Sequence, residues 1–94
     1  MKKQKRVKVK RPVLDISTGD IIVDQGCEFQ VYGIVDRAAL ASDFDHYIGL
    51  TNDMRIRELR GVWIGEGKDP GPGERDERKF IERAGSSIYV SIPA

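Results

Sequence analysis

Apolar residues in this chain come in short alternating runs, and each run is interrupted before it can grow long. Ile88-Tyr89-Val90-Ser91-Ile92 sets Ile88, Val90 and Ile92 on one side, the period-two signature of a half-buried strand. Ile21-Ile22-Val23 is a compact β-branched run of the kind that favours strands. Cys27 to Val35 alternates again, with Cys27, Phe29 and Val31 on one side and Glu28, Gln30 and Tyr32 on the other. Asp24-Gln25-Gly26 between the two runs is turn chemistry, so they are expected to form a hairpin, with Gly33 marking a bulge or bend. Val7-Lys8-Val9-Lys10 is compatible with a further short strand, and Pro12 suits a sheet edge. His46-Tyr47-Ile48-Gly49-Leu50 reads as a strand ended by Thr51-Asn52-Asp53. Residues 54–60 are ambiguous in period, and the adjoining Gly61-Val62-Trp63-Ile64 tips them toward strand.

Other segments break the pattern. Residues 37–45 predict one helical turn or a loop. Residues 65–73 hold four Gly and two Pro in nine positions and are expected to form a mobile loop. Glu74 to Ala84 is charged, with Phe80, Ile81 and Ala84 as an apolar stripe, Glu74 and Arg78 at i,i+4 and Gly85 as a stop; it predicts a short surface helix. The fold expected from these elements is mainly β, a small SH3-like or OB-like barrel of five to six short strands with one short helix near the C-terminus. A chain of 94 residues has room for one domain with a thin core.

Charge is unevenly spread. The formal net charge is +1, yet seven of the sixteen Lys and Arg lie in the first eleven residues: Lys2, Lys3, Lys5, Arg6, Lys8, Lys10 and Arg11. Residues 12–94 hold nine bases against fifteen acids, a balance of −6, and residues 13–54 alone hold eight acids against Arg37. The expected organisation is a flexible basic arm over 1–11 joined to a β-rich body over 12–94. Such an arm neutralises phosphates and releases counterions, solubilises the chain, or lies on an acidic face of its own body or of a second copy. Arg55, Arg57 and Arg60 beside Trp63 form a second basic group; arginine next to an aromatic is common in protein interfaces and on nucleic-acid surfaces.

Catalytic and metal chemistry find little support. The single Cys27 and single His46 have no zinc-ligand spacing, and Asp43, Asp45 and His46 read as a polar loop. His46 is the only imidazole available as a base, and Cys27 sits in an alternating run where a free thiol packs as a small hydrophobe. Lys68 in the 65–73 loop fails the phosphate-loop spacing, because Asp69 stands where Ser or Thr is needed, and the two prolines lack N–H donors. No enzyme, cofactor, metal or small-molecule substrate is expected. A lone thiol points to a reducing, cytoplasmic compartment. No apolar run approaches the length of about 20 residues that spans a bilayer, so no membrane association is expected.

Gly19-Asp20, the alternating run Ile21 to Val23, the turn at Gly26 and the closing Gly33-Ile34-Val35 resemble a KOW-type motif over residues 19–35. The match departs by one residue in spacing, and Asp24 and Glu28 stand where the family carries a basic turn residue. The resemblance implies an SH3-like barrel, the setting in which KOW segments contact RNA.

The expected function is a non-enzymatic accessory protein that binds nucleic acid through the basic arm and the Arg-bearing face. The alternative is a protein-binding or assembly module, a small phage- or mobile-element-like subunit or inhibitor, which oligomerises or docks by arm-to-acidic-face contacts.

Overall fold

A computed structural model of the chain describes residues 5–40, 54–67, 69–71 and 76–94. Six strands run through them: β1 (Arg6–Pro12), β2 (Ile21–Asp24), β3 (Cys27–Ala38), β4 (Arg55–Gly67), β5 (Glu77–Arg83) and β6 (Ser87–Pro93), with a short 3-10 turn, Val13–Asp15, after β1. They form one antiparallel sheet in the order β1-β6-β2-β3-β4-β5. The β2–β3 hairpin is the one the sequence predicts. Asp24 pairs with Cys27, and the two tip residues Gln25 and Gly26 stand at φ 51° and 83°. Two central residues in the left-handed region are what a type I′ turn requires.

The strand order forces the sheet to curl. β5 and β6 are consecutive in the chain but lie four places apart in the sheet. In a flat sheet that is about 19 Å at about 4.8 Å per strand. Only residues 84–86 connect them, and four Cα–Cα steps span at most about 14 Å. The β5 edge must therefore roll toward β2 and β6. The seam where it arrives is bridged by Arg78 of β5, whose Nη1 donates to Asp24 of β2 at 2.9 Å. A small cleft of about 40 Å³ remains beside this bridge, between Ile22, Val23 and Asp24 of β2, Phe80 and Glu82 of β5 and Ile88 of β6.

The main core fills the inside of the curl. Ile22, Cys27, Phe29, Val31, Leu59, Phe80 and Val90 bury alternate residues of β2 to β6, and Ile16 joins them from the loop after the 3-10 turn. Phe29 and Phe80 meet edge to face, with centroids 5.6 Å apart, the arrangement aromatic quadrupoles prefer. A second, smaller cluster of Ala39, Ile56 and Ile81, with Met54 against it, sits elsewhere. Ile56 and Ile81 lie an odd number of positions from Leu59 and Phe80, so they project from the opposite face of the same strands. Between Val31 and Gly33 the register shifts at a bulge, which leaves Tyr32 exposed.

Four expectations are corrected. The helix predicted over 74–84 is strand β5 where it is described. Phe80 and Ile81 are both buried, one in each cluster, and only extended backbone sends adjacent side chains to opposite faces. Tertiary burial overrides the local helical content. The strands are not uniformly short, since β3 has twelve residues and β4 thirteen. The 65–73 loop gives its first three residues to β4, and 69–71 carry no regular structure. The basic arm is not free along its length, because residues 6–12 pair with β6 from Arg6↔Pro93 to Pro12↔Ser87. The edge position expected for Pro12 is the one observed. The strand expected over 46–50 and most of the turn or loop over 37–45 lie outside the described residues; Arg37 and Ala38 end β3.

Gly61 is where the core demands the absence of a side chain. A Cβ there would stand 2.9 Å from Cβ of Phe29, an atom fixed to backbone, whereas one at Gly33 would meet nothing nearer than Arg60 Cβ at 3.8 Å. Gly61→Ala is expected to destabilise by about 1–3 kcal/mol, and Gly33→Ala by much less. Urea unfolding followed by Trp63 fluorescence checks this; equal midpoints for the two variants would refute the packing account.

Candidate functional site

Eight of the ten candidate binding residues are described, on or next to two separate strands, and the structure sorts them into different roles. On β1, alternation turns Val9 inward against the core and sends Arg6, Lys8 and Lys10 to the outer face. Register fixes what they meet. Lys8 pairs with Ser91 and Lys10 with Tyr89, and Lys8 Nζ lies 4.8 Å from the centroid of the Tyr89 ring. Arg6 is anchored, with Nε donating to Ser91 Oγ and Nη2 to the Ser91 carbonyl, each at 2.8 Å. Arg11 is exposed and joins Arg6, Asp20 and Ser91 in lining a shallow cleft of about 150 Å³. Lys5 is exposed just ahead of the strand. Lys2 and Lys3 lie outside the described residues. Among the described residues, Lys5, Lys8, Lys10 and Arg11 make no ion pair.

The β4 arginines do not form one patch. Arg55 and Arg57 share a face and Arg60 projects from the other; three strands, β6, β2 and β3, separate all of them from β1. Arg57, expected at the partner-binding face, is committed to the fold. Its Nε and Nη2 grip both carboxylate oxygens of Asp36 at 2.7 and 2.8 Å. Its Nη1 donates to the carbonyls of Val13, Leu14 and Ile16 at 3.2, 3.1 and 3.1 Å. One guanidinium thus ties the 3-10 turn, with fully buried Val13, to the β3–β4 ladder. The Arg57 hydrogen bond holds Asp36 below the usual carboxylate range, and its own charge adds to the effect. Arg60 is half-exposed and donates to Glu58 at 2.9 Å, while Arg37 donates to the other oxygen of Glu58 at 3.2 Å. Burial works to raise the Glu58 carboxyl, but these two arginines more than offset it and hold it low. Arg55 is exposed.

The acidic body is also partly spent. Asp24 is taken by Arg78, Asp36 by Arg57, and Asp20 accepts the backbone N–H of Ser17 at 2.8 Å. Asp24 and Asp36 are thus compensated by arginines, whereas Asp20 is bonded to a neutral amide, which does not cancel its charge. Glu82 is different. It sits half-buried at the seam, and burial pushes its carboxyl above the usual glutamate value, with nearby Asp24 adding to the rise and the Ser86 hydroxyl opposing it. Cys27 is a buried free thiol in the main core, and His46 lies outside the described residues. No group of three or more metal-ligating side chains occurs among the described residues, and none of their helices is long and apolar enough to cross a membrane.

Sequence reasoning missed Tyr89. It is 45% exposed on the outer face of β6. Alternation along Ile88–Ile92 already placed it opposite the buried side, but its proximity to lysines follows only from the β1–β6 pairing. The chain matches no family model, and comparison with curated proteins and with solved structures finds no match.

The Arg57–Asp36 pair and the half-buried Glu82 carboxyl each set a measurable difference in stability. Asp36 is half-exposed while Arg57 is largely buried, so the carbonyl contacts are expected to carry more stability than the pair itself. Arg57→Ala is expected to cost about 2–4 kcal/mol and Asp36→Asn about 1 kcal/mol or less; equal losses in chemical denaturation would contradict this. Glu82, raised in the folded state, contributes stability that is present below its ordinary value of 4.5 and lost as pH rises through the folded value. Glu82→Gln should therefore raise the melting temperature at neutral pH, with the gain vanishing at acid pH. A gain that persists below pH 4.5 would show that its cause is not ionisation.

Proposed function

We propose that the protein is a non-enzymatic, nucleic-acid-associated accessory protein whose curled sheet is a small SH3-like barrel. The observation that carries this reading is the row Arg6, Lys8 and Lys10 on the outer face of edge strand β1, beside the half-exposed Tyr89 ring. A line of cations with no carboxylate partner among the described residues is what phosphate neutralisation needs. The KOW-type resemblance of residues 19–35 falls on the β2–β3 hairpin and supports the barrel part of the proposal; its turn, Gln25-Gly26, offers no cation. Within the two basic groups, β1 with Lys5 and Arg11 is the contact; Arg55 and Arg60, on opposite faces of β4, stand apart from it, and Arg57 acts through the fold. A cytoplasmic setting rests on the lone thiol alone.

The competing reading is a protein-binding or assembly module held by arm-to-acidic-face contacts. It has less support. Half of the arm is already a paired strand, and Asp24 and Asp36 of the acidic stretch are already paired with arginines.

The test is fluorescence anisotropy with a labelled oligonucleotide across a salt series. The intact chain should bind at low salt with a linear log K against log salt dependence. Lys8→Ala with Lys10→Ala should weaken binding and reduce the slope by about 1.4–1.8, at about 0.7–0.9 per phosphate contact. Absence of binding at low salt would remove the proposal.

A further inference from the structure

We infer that the outer face of β1 and β6 is built for single-stranded rather than duplex nucleic acid, with Tyr89 as the base-stacking platform. The inference rests on the reading above and deepens it. Three observations carry it.

The first is the shape of the basic row. Arg6, Lys8 and Lys10 stand at every second position of one strand, about 6.7 Å apart, in a line along a sheet edge. A line of cations tracks one phosphate backbone. A duplex read in its major groove calls for a helix or a two-stranded ribbon entering that groove. β1 is at the sheet edge, but its cations lie on the sheet face, and no α-helix occurs among the described residues.

The second is Tyr89. Its ring is outside both core clusters, nearly half exposed, and flanked by Lys8 and by Lys10, its register partner. An aromatic ring on a sheet face stacks on bases that have left a duplex, and such rings beside a basic groove are the recurring device of single-strand recognition. Val23 of β2, its partner on the other side, extends the surface with a half-buried apolar side chain.

The third is what occupies the ring now. Lys8 Nζ lies over it at 4.8 Å. An exposed cation–π contact is worth about a factor of two to five in equilibrium terms. Base stacking on an aromatic is worth about five- to a hundred-fold. A base therefore displaces the ammonium, and the flexible lysine stem lets it move to the adjacent phosphate. The contact in the free protein is a resting position that binding exchanges for two better ones.

The experiment compares a labelled oligonucleotide with its own duplex, at one ionic strength, using the intact chain. The single strand should bind about tenfold tighter or more. Tyr89→Thr keeps a strand-favouring β-branched residue and should lose about five- to a hundred-fold on the single strand and little on the duplex. Tyr89→Phe keeps the ring and should retain the wild-type preference. Equal affinity of the wild-type chain for both forms, or a preference unchanged in a folded Tyr89→Thr variant, would overturn the inference while the nucleic-acid reading stands. Failure to bind either form at low salt would remove both.

Discussion

The short passage from β5 to β6 governs this structure. Residues 84–86 cannot cross four strand spacings of a flat sheet, so the sheet has to roll until its β5 edge meets β2 and β6. The closing of the main core follows from that roll. Arg78 reaches Asp24 because β5 has come round, and its guanidinium lies 4.8 Å from the Phe29 centroid, while Phe80 meets Phe29 across β4. Gly61 gives Phe29 the space to sit inside. Arg57 then fastens the 3-10 turn to the rolled sheet through three carbonyls, with Val13 N donating to Ser86 O, in the same β5–β6 connection, at 2.9 Å.

The roll also divides the charges. Ionic groups drawn toward the fold find partners: Arg57 with Asp36, Arg78 with Asp24, and Arg37 and Arg60 on Glu58. Each pair satisfies a group whose desolvation would otherwise be costly. The β1 cations sit where no such requirement acts. Val9 packs β1 against the core and the ladder to β6 holds the rest, so among the described residues Lys8 and Lys10 face solvent and Tyr89. The overall charge near zero is therefore not a neutral surface. It is a set of internal pairs and a cationic edge, offset by the excess of acids over bases in residues 12–94.

Much of the fold was legible because burial on one face writes itself into alternation. β2, β3 and β6 were readable at nearly their observed limits from Ile21–Val23, Cys27–Val35 and Ile88–Ile92, and the hairpin tip from Gly26. β5 was not. Its two adjacent buried residues, Phe80 and Ile81, serve two different faces, which erases the alternation and leaves a charged segment that imitates a surface helix. The candidate site was half legible. Counting charges located the basic run, but counting cannot tell a cation that faces solvent from one that holds the chain together. Arg55, Arg57 and Arg60 look equivalent in sequence, and only the path of residues 13–16 beneath β4 makes Arg57 a strut. Tyr89 was hidden for the complementary reason, since its importance lies in a pairing between residues some eighty positions apart.

Lysine on an edge strand has a bland purpose, which is to stop the unpaired edge from recruiting other strands. That purpose accounts for charge at β1 but not for its kind or arrangement. Either sign would discourage edge pairing, and a mixture would do so without creating a field. β1 carries four cations and no acid, three of the cations on one face. That face is the one shared with Tyr89 rather than the one turned to the core. Like charges at alternate positions repel along the strand, and a chain selected only for stability would relieve this with a glutamate at position 8 or 10. The repulsion is retained, and binding a polyanion is the event that would relieve it.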